Sequence, residues 1–184
     1  KEMMQLGTDD DIAEICNSLM DAGAPKATQD PADMRDPVAV RSMIDRATER
    51  FGGIGILINN AGIQHVAPVA DFPIDKWDDV LAINLSAVFH ASAAAAVHMA
   101  AAGWGRIINI SSVHGLVASP YKSAYVAAKH GVIGLTKTMA LEHARGAITV
   151  NAICPGWVRT PLVEQQIVAR AKVSARSLDE EASM

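Results

Sequence analysis

The stretch "IGILINNAG" at residues 54–62 is apolar without alternation until two asparagines and a pair of small residues close it. An unbroken apolar strand, unlike an alternating one, implies burial on both faces, as in a parallel sheet covered by helices. Working backward, "PVAVRSMIDRATERFGG" (37–53) reads as a helix. Pro37 suits its first turn, Val40, Met43, Ile44 and Ala47 share one face, and Gly52 stops it. Before it, "TDDDIAEICNSLMDAG" (8–23) reads as another helix, with Thr8 or an aspartate as cap, an acidic first turn that suits the dipole, and Gly23 near its end. Between the two, a brief strand is expected at 26–29, followed by a proline-punctuated loop.

Working forward, "DFPIDKWDDVLAINLSAVFHASAAAAVHMAAAG" (71–103) has helical composition for about three turns on either side of Asn84. "WGRIINISS" (104–112) is a second buried strand, "SAYVAAKHGVIGLTKTMALEHA" (123–144) a long helix, and "AITVNAICPG" (147–156) a third strand. Strand and helix alternate with short links, which predicts a right-handed parallel α/β sheet with helices on both faces. Functional residues in such a sheet belong beyond the carboxyl ends of the strands, where 59–62, 111–115 and 155–160 all fall.

Half of the 184 residues are apolar, and a chain of that size buries roughly 70% of its unfolded surface, enough for one substantial core. The net charge of −4, from 16 basic and 20 acidic residues, gives no footprint for a polyanion, so no nucleic-acid partner is expected. Cys16 and Cys154 stand in apolar settings without redox or metal spacing and read as small hydrophobes. No His, Cys and acidic cluster has metal-ligand spacing, and no G-x-S-x-G elbow supports a hydrolase. "KEMMQLGTDDD" is not a signal peptide, and Gly, His or Asn interrupts the longest apolar patches. The expectation is a soluble, cytoplasmic protein with no membrane partner.

A dinucleotide-binding sheet normally opens with a strand and a glycine-rich turn whose amides face phosphate. No such turn occurs before Asn59, and the glycines of "FGGIG" (51–55) precede a strand, where they act as helix stop and strand start. Two readings stay open: a different α/β domain, or a chain lacking its first βαβ unit and last strand. The abrupt start and strandless tail favour the second. No internal boundary is visible, so residues 1–184 are read as a single domain fragment.

Tyr125 and Lys129 are four apart on the predicted helix and emerge from one face. Tyrosine, with a pKa near 10, works as an acid or base near neutrality only if a nearby cation stabilises its ionised form. Ser112, at the end of a strand, is placed to hydrogen-bond the same substrate oxygen. The bland alternative packs Tyr125 under a loop, lets Lys129 snorkel to water and leaves Ser112 as a cap. Asn84, in an apolar helical run, must satisfy a backbone group, hold a water or distort the helix. "NNAG" (59–62) is either a tight turn or a ligand contact, and "CPGWVRTP" (154–161) either a rigid strand exit or a ligand wall. Gln64, His65, His114, Lys122 and Gln166 are loop residues suited to a small anion or simply to solvent.

Taken in order, "NNAG", Asn84, Ser112, "YVAAK" (125–129) and "PG" (155–156) resemble the short-chain dehydrogenase/reductase family from about residue 8 to 166. "GRIINISSVHGLVAS" (105–119), "KSAYVAAKHGVIGLTK" (122–137) and "NAICPGWVRTPLVEQQI" (151–167) are similar to its bacterial branch that interconverts D-3-hydroxybutyrate and acetoacetate. The resemblance implies a Rossmann-like doubly wound parallel sheet, NAD as cofactor, a small hydroxy-acid or keto-acid substrate and a homotetramer. It implies a catalytic set of Asn84, Ser112, Tyr125 and Lys129, with Tyr125 as acid/base, Ser112 as donor to the substrate oxygen, Lys129 as tuner of Tyr125 and ligand of the ribose, and Asn84 as anchor of a relay water. Cofactor contacts are implied for Asp33, Asn60, Ala61, Gly62, Tyr125, Lys129, Pro155, Gly156, Val158 and Thr160. The substrate pocket is implied at Gln64, Ser112, His114, Lys122, Tyr125, Trp157 and Gln166, and residues 161–184 begin a substrate lid. Gly55 stands where the family commonly has Asp, which implies a looser local contact. Two alternatives remain: another short-chain reductase of a small hydroxy or oxo compound, and a noncatalytic oligomeric paralogue or degenerate fragment.

Overall fold

The computed structural model describes residues 9–156, 167–168 and 177. The chain divides into two compact units, 1–154 and 155–184; in the second, Ile167 and Val168 are helical. The first unit runs α1 (Asp9–Asp21), α2 (Pro37–Phe51), β1 (Ile56–Asn59), α3 (Ile74–Leu81), a π-helical turn (Ala82–Ser86), α4 (Ala87–Ala102), β2 (Gly105–Ile110), α5 (Ser123–Glu142) and β3 (Ile148–Ile153). Short 3₁₀ turns lie at Val69–Asp71 and Val113–Gly115.

Local chemistry explains the helix ends. The Asp36 carboxylate accepts from the backbone N–H of Val38 at 2.8 Å and Ala39 at 3.3 Å, and Pro37 follows where an unpaired N–H would be lost anyway. Gly52 ends α2 at φ +77 and Gly103 ends α4 at φ +70, left-handed positions that a Cβ would strain. The expected strand at 26–29 does not form; those residues pair in no ladder.

The three strands are parallel in the order β1-β2-β3. Register pairs Leu57 with Ile107 and Ile107 with Val150, so these side chains share a face. That face carries the core, in which Ile107, Ile148 and Val150 pack with Ala91, Ala95 and Met99 of α4, Met139 of α5, and Val40 and Ile44 of α2. The alanines of α4 allow close approach.

The other face differs from expectation: Ile56 and Ile58 are each 57% exposed and Ile153 is 50% exposed. Among the described residues, the helices that touch the sheet all lie on one side. The reason is topological. Two successive right-handed crossovers in the same direction, β1 to β2 to β3, put their helices on the same face, and helices change face only where strand order reverses. The α/β class and parallel sheet hold, and among the described residues one face of the sheet is covered.

Two local expectations are also corrected. Gly55 does not loosen its surroundings, because the Trp104 ring occupies the space where its Cβ would stand, 2.8 Å from Cζ3, and the Arg106 guanidinium lies 4.6 Å from the Trp104 ring centroid. The apolar runs are not all short: Ile74–Ala102 spans 29 residues at a mean hydropathy of 1.8 over its most apolar window, long and apolar enough to cross a bilayer by composition. Its inward positions, Val80, Ile83, Ala87, Ala91, Ala95 and Met99, are buried within the protein.

Candidate functional site

The carboxyl ends of β1 and β2 meet the α3–α4 junction and the start of α5. Asn84 is fully buried there. Its Oδ1 accepts from the Ile63 N–H and its Nδ2 donates to the Ile63 carbonyl, both at 2.8 Å, so the side chain pairs with one residue as a neighbouring strand would. It thereby holds the chain just after Gly62. The helix around it opens into the π turn, an extra residue per turn that re-aims the amide. Backbone satisfaction and helix distortion, two uses weighed for this residue, occur together.

Ser112 follows β2 in extended conformation, and its Oγ accepts from the His114 N–H at 3.1 Å. The Tyr125 ring packs on the cluster of Val80, Ala124 and Ala128 and meets the His114 ring edge-on at 6.3 Å. Burial pushes the Tyr125 phenol up from its ordinary value, and the hydrogen bond with Ser112 works the other way without prevailing. Lys129 is buried; its Nζ donates to the Ile110 carbonyl at 2.8 Å and stands 5.6 Å from the Tyr125 ring centroid. Burial pulls its ammonium down to about 8, partly offset by the Cys154 thiol. The expected same-face adjacency is present, but the expected lowering of Tyr125 by Lys129 is not. The ammonium is turned to the Ile110 carbonyl and the ring face, and desolvation dominates the phenol.

A Cβ placed on Gly62 would stand 3.4 Å from Asn84 Oδ1 and 3.8 Å from Lys129 Nζ, which brings the end of β1, Asn84 and Lys129 to one spot. Asn60 and Ala61 beside it are exposed. Gln64 is partly buried, and its Nε2 is enclosed without a hydrogen-bond partner among the described residues. Lys122 is buried immediately before α5. Asp33 lies apart in the loop before α2, where the Arg35 fork grips its carboxylate at 2.7–3.1 Å and holds its pKa at about 2. Arg35 also reaches Asp79 of α3 at 3.5 Å. Pro155 and Gly156 belong to the second unit, in which Trp157, Val158, Thr160 and Gln166 lie outside the described residues, as does most of the expected lid at 161–184.

Several residues that shape this site had no role assigned from the sequence, although Asn59 and Ser111 lie in stretches expected to be functional. Tyr121 adopts φ +64, and its carbonyl accepts from the Ala67 N–H at 2.9 Å, bracing the approach to α5. Ser111, Asn59, Asn109, Ser92 and Thr136 are buried polar groups beneath the site. An available signal was the asparagine that closes "ILIN" and recurs in "IIN", an amide on the buried face of both apolar strands.

The family model described as short chain dehydrogenase matches residues 3–170. The D-beta-hydroxybutyrate dehydrogenase of Rhizobium meliloti is 50% identical over 175 residues, covering 95% of this chain and 67% of that protein. The D-beta-hydroxybutyrate dehydrogenase of Cupriavidus necator is 56% identical over 141 residues, covering 77% of this chain and 55% of that protein. An uncharacterized oxidoreductase of Bacillus subtilis is 48% identical over 137 residues, covering 74% and 53%. The chain thus spans between about half and two thirds of the length of these relatives.

Proposed function

As the chain belongs to the short-chain dehydrogenase family, we propose that the protein carrying it interconverts D-3-hydroxybutyrate and acetoacetate with NAD, in the cytoplasm. The observation that carries this reading is the gathering of Asn84, Ser112, Tyr125 and Lys129 at the ends of β1 and β2. The residues present fit the cofactor: Asn60 and Ala61 are open, and Gly62 leaves a Cβ-sized space beside Asn84 and Lys129. Asn60, Ala61, Gly62 and Lys129 would hold its ribose and Asp33 its adenine end. NAD, when bound, supplies the hydride acceptor.

The protein's own residues manage the oxygen and its proton. Ser112 Oγ donates to the reacting oxygen, and the Tyr125 hydroxyl exchanges a proton with the same atom. A phenol pushed up by burial keeps its proton at neutral pH, which suits donation during ketone reduction. In the oxidative direction the phenolate must form against this burial, and the Ser112 hydrogen bond favours it. The Asn84 side chain is committed to Ile63, so a water relay through this residue runs by its main-chain oxygen. Gln64, His114 and Lys122 would receive the carboxylate. The enclosed Gln64 Nε2 supports this, since a buried donor without an acceptor is costly and a carboxylate oxygen supplies one.

The test is NADH formation from D-3-hydroxybutyrate against a panel of its L enantiomer, longer hydroxy acids and uncharged alcohols. Tyr125→Phe keeps the ring and its packing, and turnover falls by about a hundredfold or more while circular dichroism is unchanged. Turnover surviving that substitution defeats the mechanism, and preference for an uncharged alcohol defeats the acid pocket.

A further inference from the structure

Beneath the site, a chain of hydrogen-bonded side chains crosses a contact otherwise built from Ala, Ile, Val and Met. Asn59 Nδ2 donates to Ser92 Oγ of α4 at 2.9 Å and to Asn109 Oδ1 of β2 at 2.8 Å. Asn109 Nδ2 donates to Thr136 Oγ1 of α5 at 2.9 Å, and Thr136 Oγ1 donates to the Val132 carbonyl at 2.7 Å. One position pair along, Ser111 Oγ donates to the Lys129 carbonyl at 3.0 Å, while Lys129 Nζ returns a bond to Ile110. All five polar side chains, Asn59, Ser92, Asn109, Ser111 and Thr136, are buried.

The spacing is that of two rungs between a strand and a helix. Asn109 and Ser111 are two residues apart, and Lys129 and Thr136 are seven apart, so each pair lies on one side of its element. Apolar packing is non-directional and tolerates a small slide of α5 over β2. A slide of one residue, about 1.5 Å with a rotation of about 100°, breaks both rungs and leaves buried amides and hydroxyls unpaired. The same chain reaches β1, which leads into Asn60, and α4, which continues from Asn84. β1, α4 and α5 are therefore all tied to β2.

We propose that Ser111 and the Asn59–Asn109–Thr136 ladder are positioning residues that set the slide and rotation of α5 on β2, and thereby place Tyr125 and Lys129 against Ser112. The kinetic consequence rests on the dehydrogenase reading above; the geometric one does not. Ser111→Ala and Thr136→Val each delete one rung with little change in volume. In the full chain each lowers kcat by about tenfold or more, with substrate KM moving less than about threefold, because a small misplacement is felt in the transition state more than in binding. Thr136→Ser, which restores the oxygen, returns kcat to near the parent value.

A second readout needs no turnover. The Lys129 Nζ titration, followed by NMR on isotope-labelled lysine and assigned by its loss in Lys129→Arg, shifts its midpoint in Ser111→Ala and Thr136→Val but not in Thr136→Ser. If the parent lacks dehydrogenase activity, the functional reading fails while the titration still decides the ladder. Should Thr136→Val not fold, Ser111→Ala decides alone. Folded variants whose Lys129 titration matches the parent, even with a lower Tm, overturn the proposal and leave the ladder a stabilising element only.

Discussion

Lys129 sits where its charge is costly. Burial disfavours the ammonium, and Cys154 compensates only in part, so it titrates at about 8 rather than at its ordinary value of 10.5. The sign of the stability effect follows. Below about pH 8 both folded and unfolded chains hold the proton, and the burial cost is fully present. Between about 8 and 10 the folded chain releases it while the unfolded chain keeps it, so stability rises with pH. Tyr125, pushed up from 10, opposes this only above that window. Denaturant midpoints for the parent and Lys129→Met, compared across this window, should show the parent gaining on the variant as pH rises; parallel curves would count against the buried charge. The spacing of Tyr125 and Lys129 was legible in the sequence because a helix repeats every 3.6 residues. The direction of Nζ was not, since it depends on Ile110, nineteen residues away.

The turn Val113–Gly115 and helix α5 fit without slack. A Cβ on Gly115 would stand 2.5 Å from Ser111 Oγ, 2.8 Å from the Lys129 carbonyl oxygen and 3.2 Å from Ile133 Cγ1. Gly115 is needed for closeness, since its backbone is not left-handed. Gly115→Ala must push the turn off the helix, carrying Ser112 and His114 with it. The expected loss is about 1–3 kcal/mol of stability and a fall in kcat of about tenfold or more, read by thermal unfolding and steady-state kinetics; a variant with parental kcat would show the turn to be free of the chemistry. Elements of strong periodicity were readable in advance: α2, with Pro37 in its first turn and its Gly52 stop, and α5 both form close to where their patterns place them. The strand expected at 26–29 was not, because a strand exists only where a neighbour completes its hydrogen bonds. The break at Asn84 could be anticipated as a distortion, whereas its π form comes from the bond to Ile63.

On the scale of the whole molecule, the outward surface of the long helices bears on assembly. Phe89 and Val97 of α4 and Leu141 of α5 are exposed, the last at 78%, on helices whose inner sides already carry the core. Exposed apolar side chains on such helices suit an interface between copies, and together with the family resemblance they support the homotetramer proposed from the sequence. Sedimentation velocity on the purified protein should give the mass of a tetramer, and Phe89→Glu with Val97→Glu should lower it; a monomer at working concentration would reject the assembly.

By itself, the sequence determined the parallel α/β class, the order of helices and strands, and the identity of the candidate residues. These depend on local periodicity, capping chemistry and short motifs, all of which lie within a few residues of one another. Tertiary structure alone decided which sheet face is covered, that burial raises the Tyr125 phenol against its Ser112 hydrogen bond, and that two strand asparagines, a helix serine and a helix threonine join beneath the site. Each of these depends on groups distant in the chain being brought within hydrogen-bonding or desolvating range, and no spacing along the sequence encodes that range.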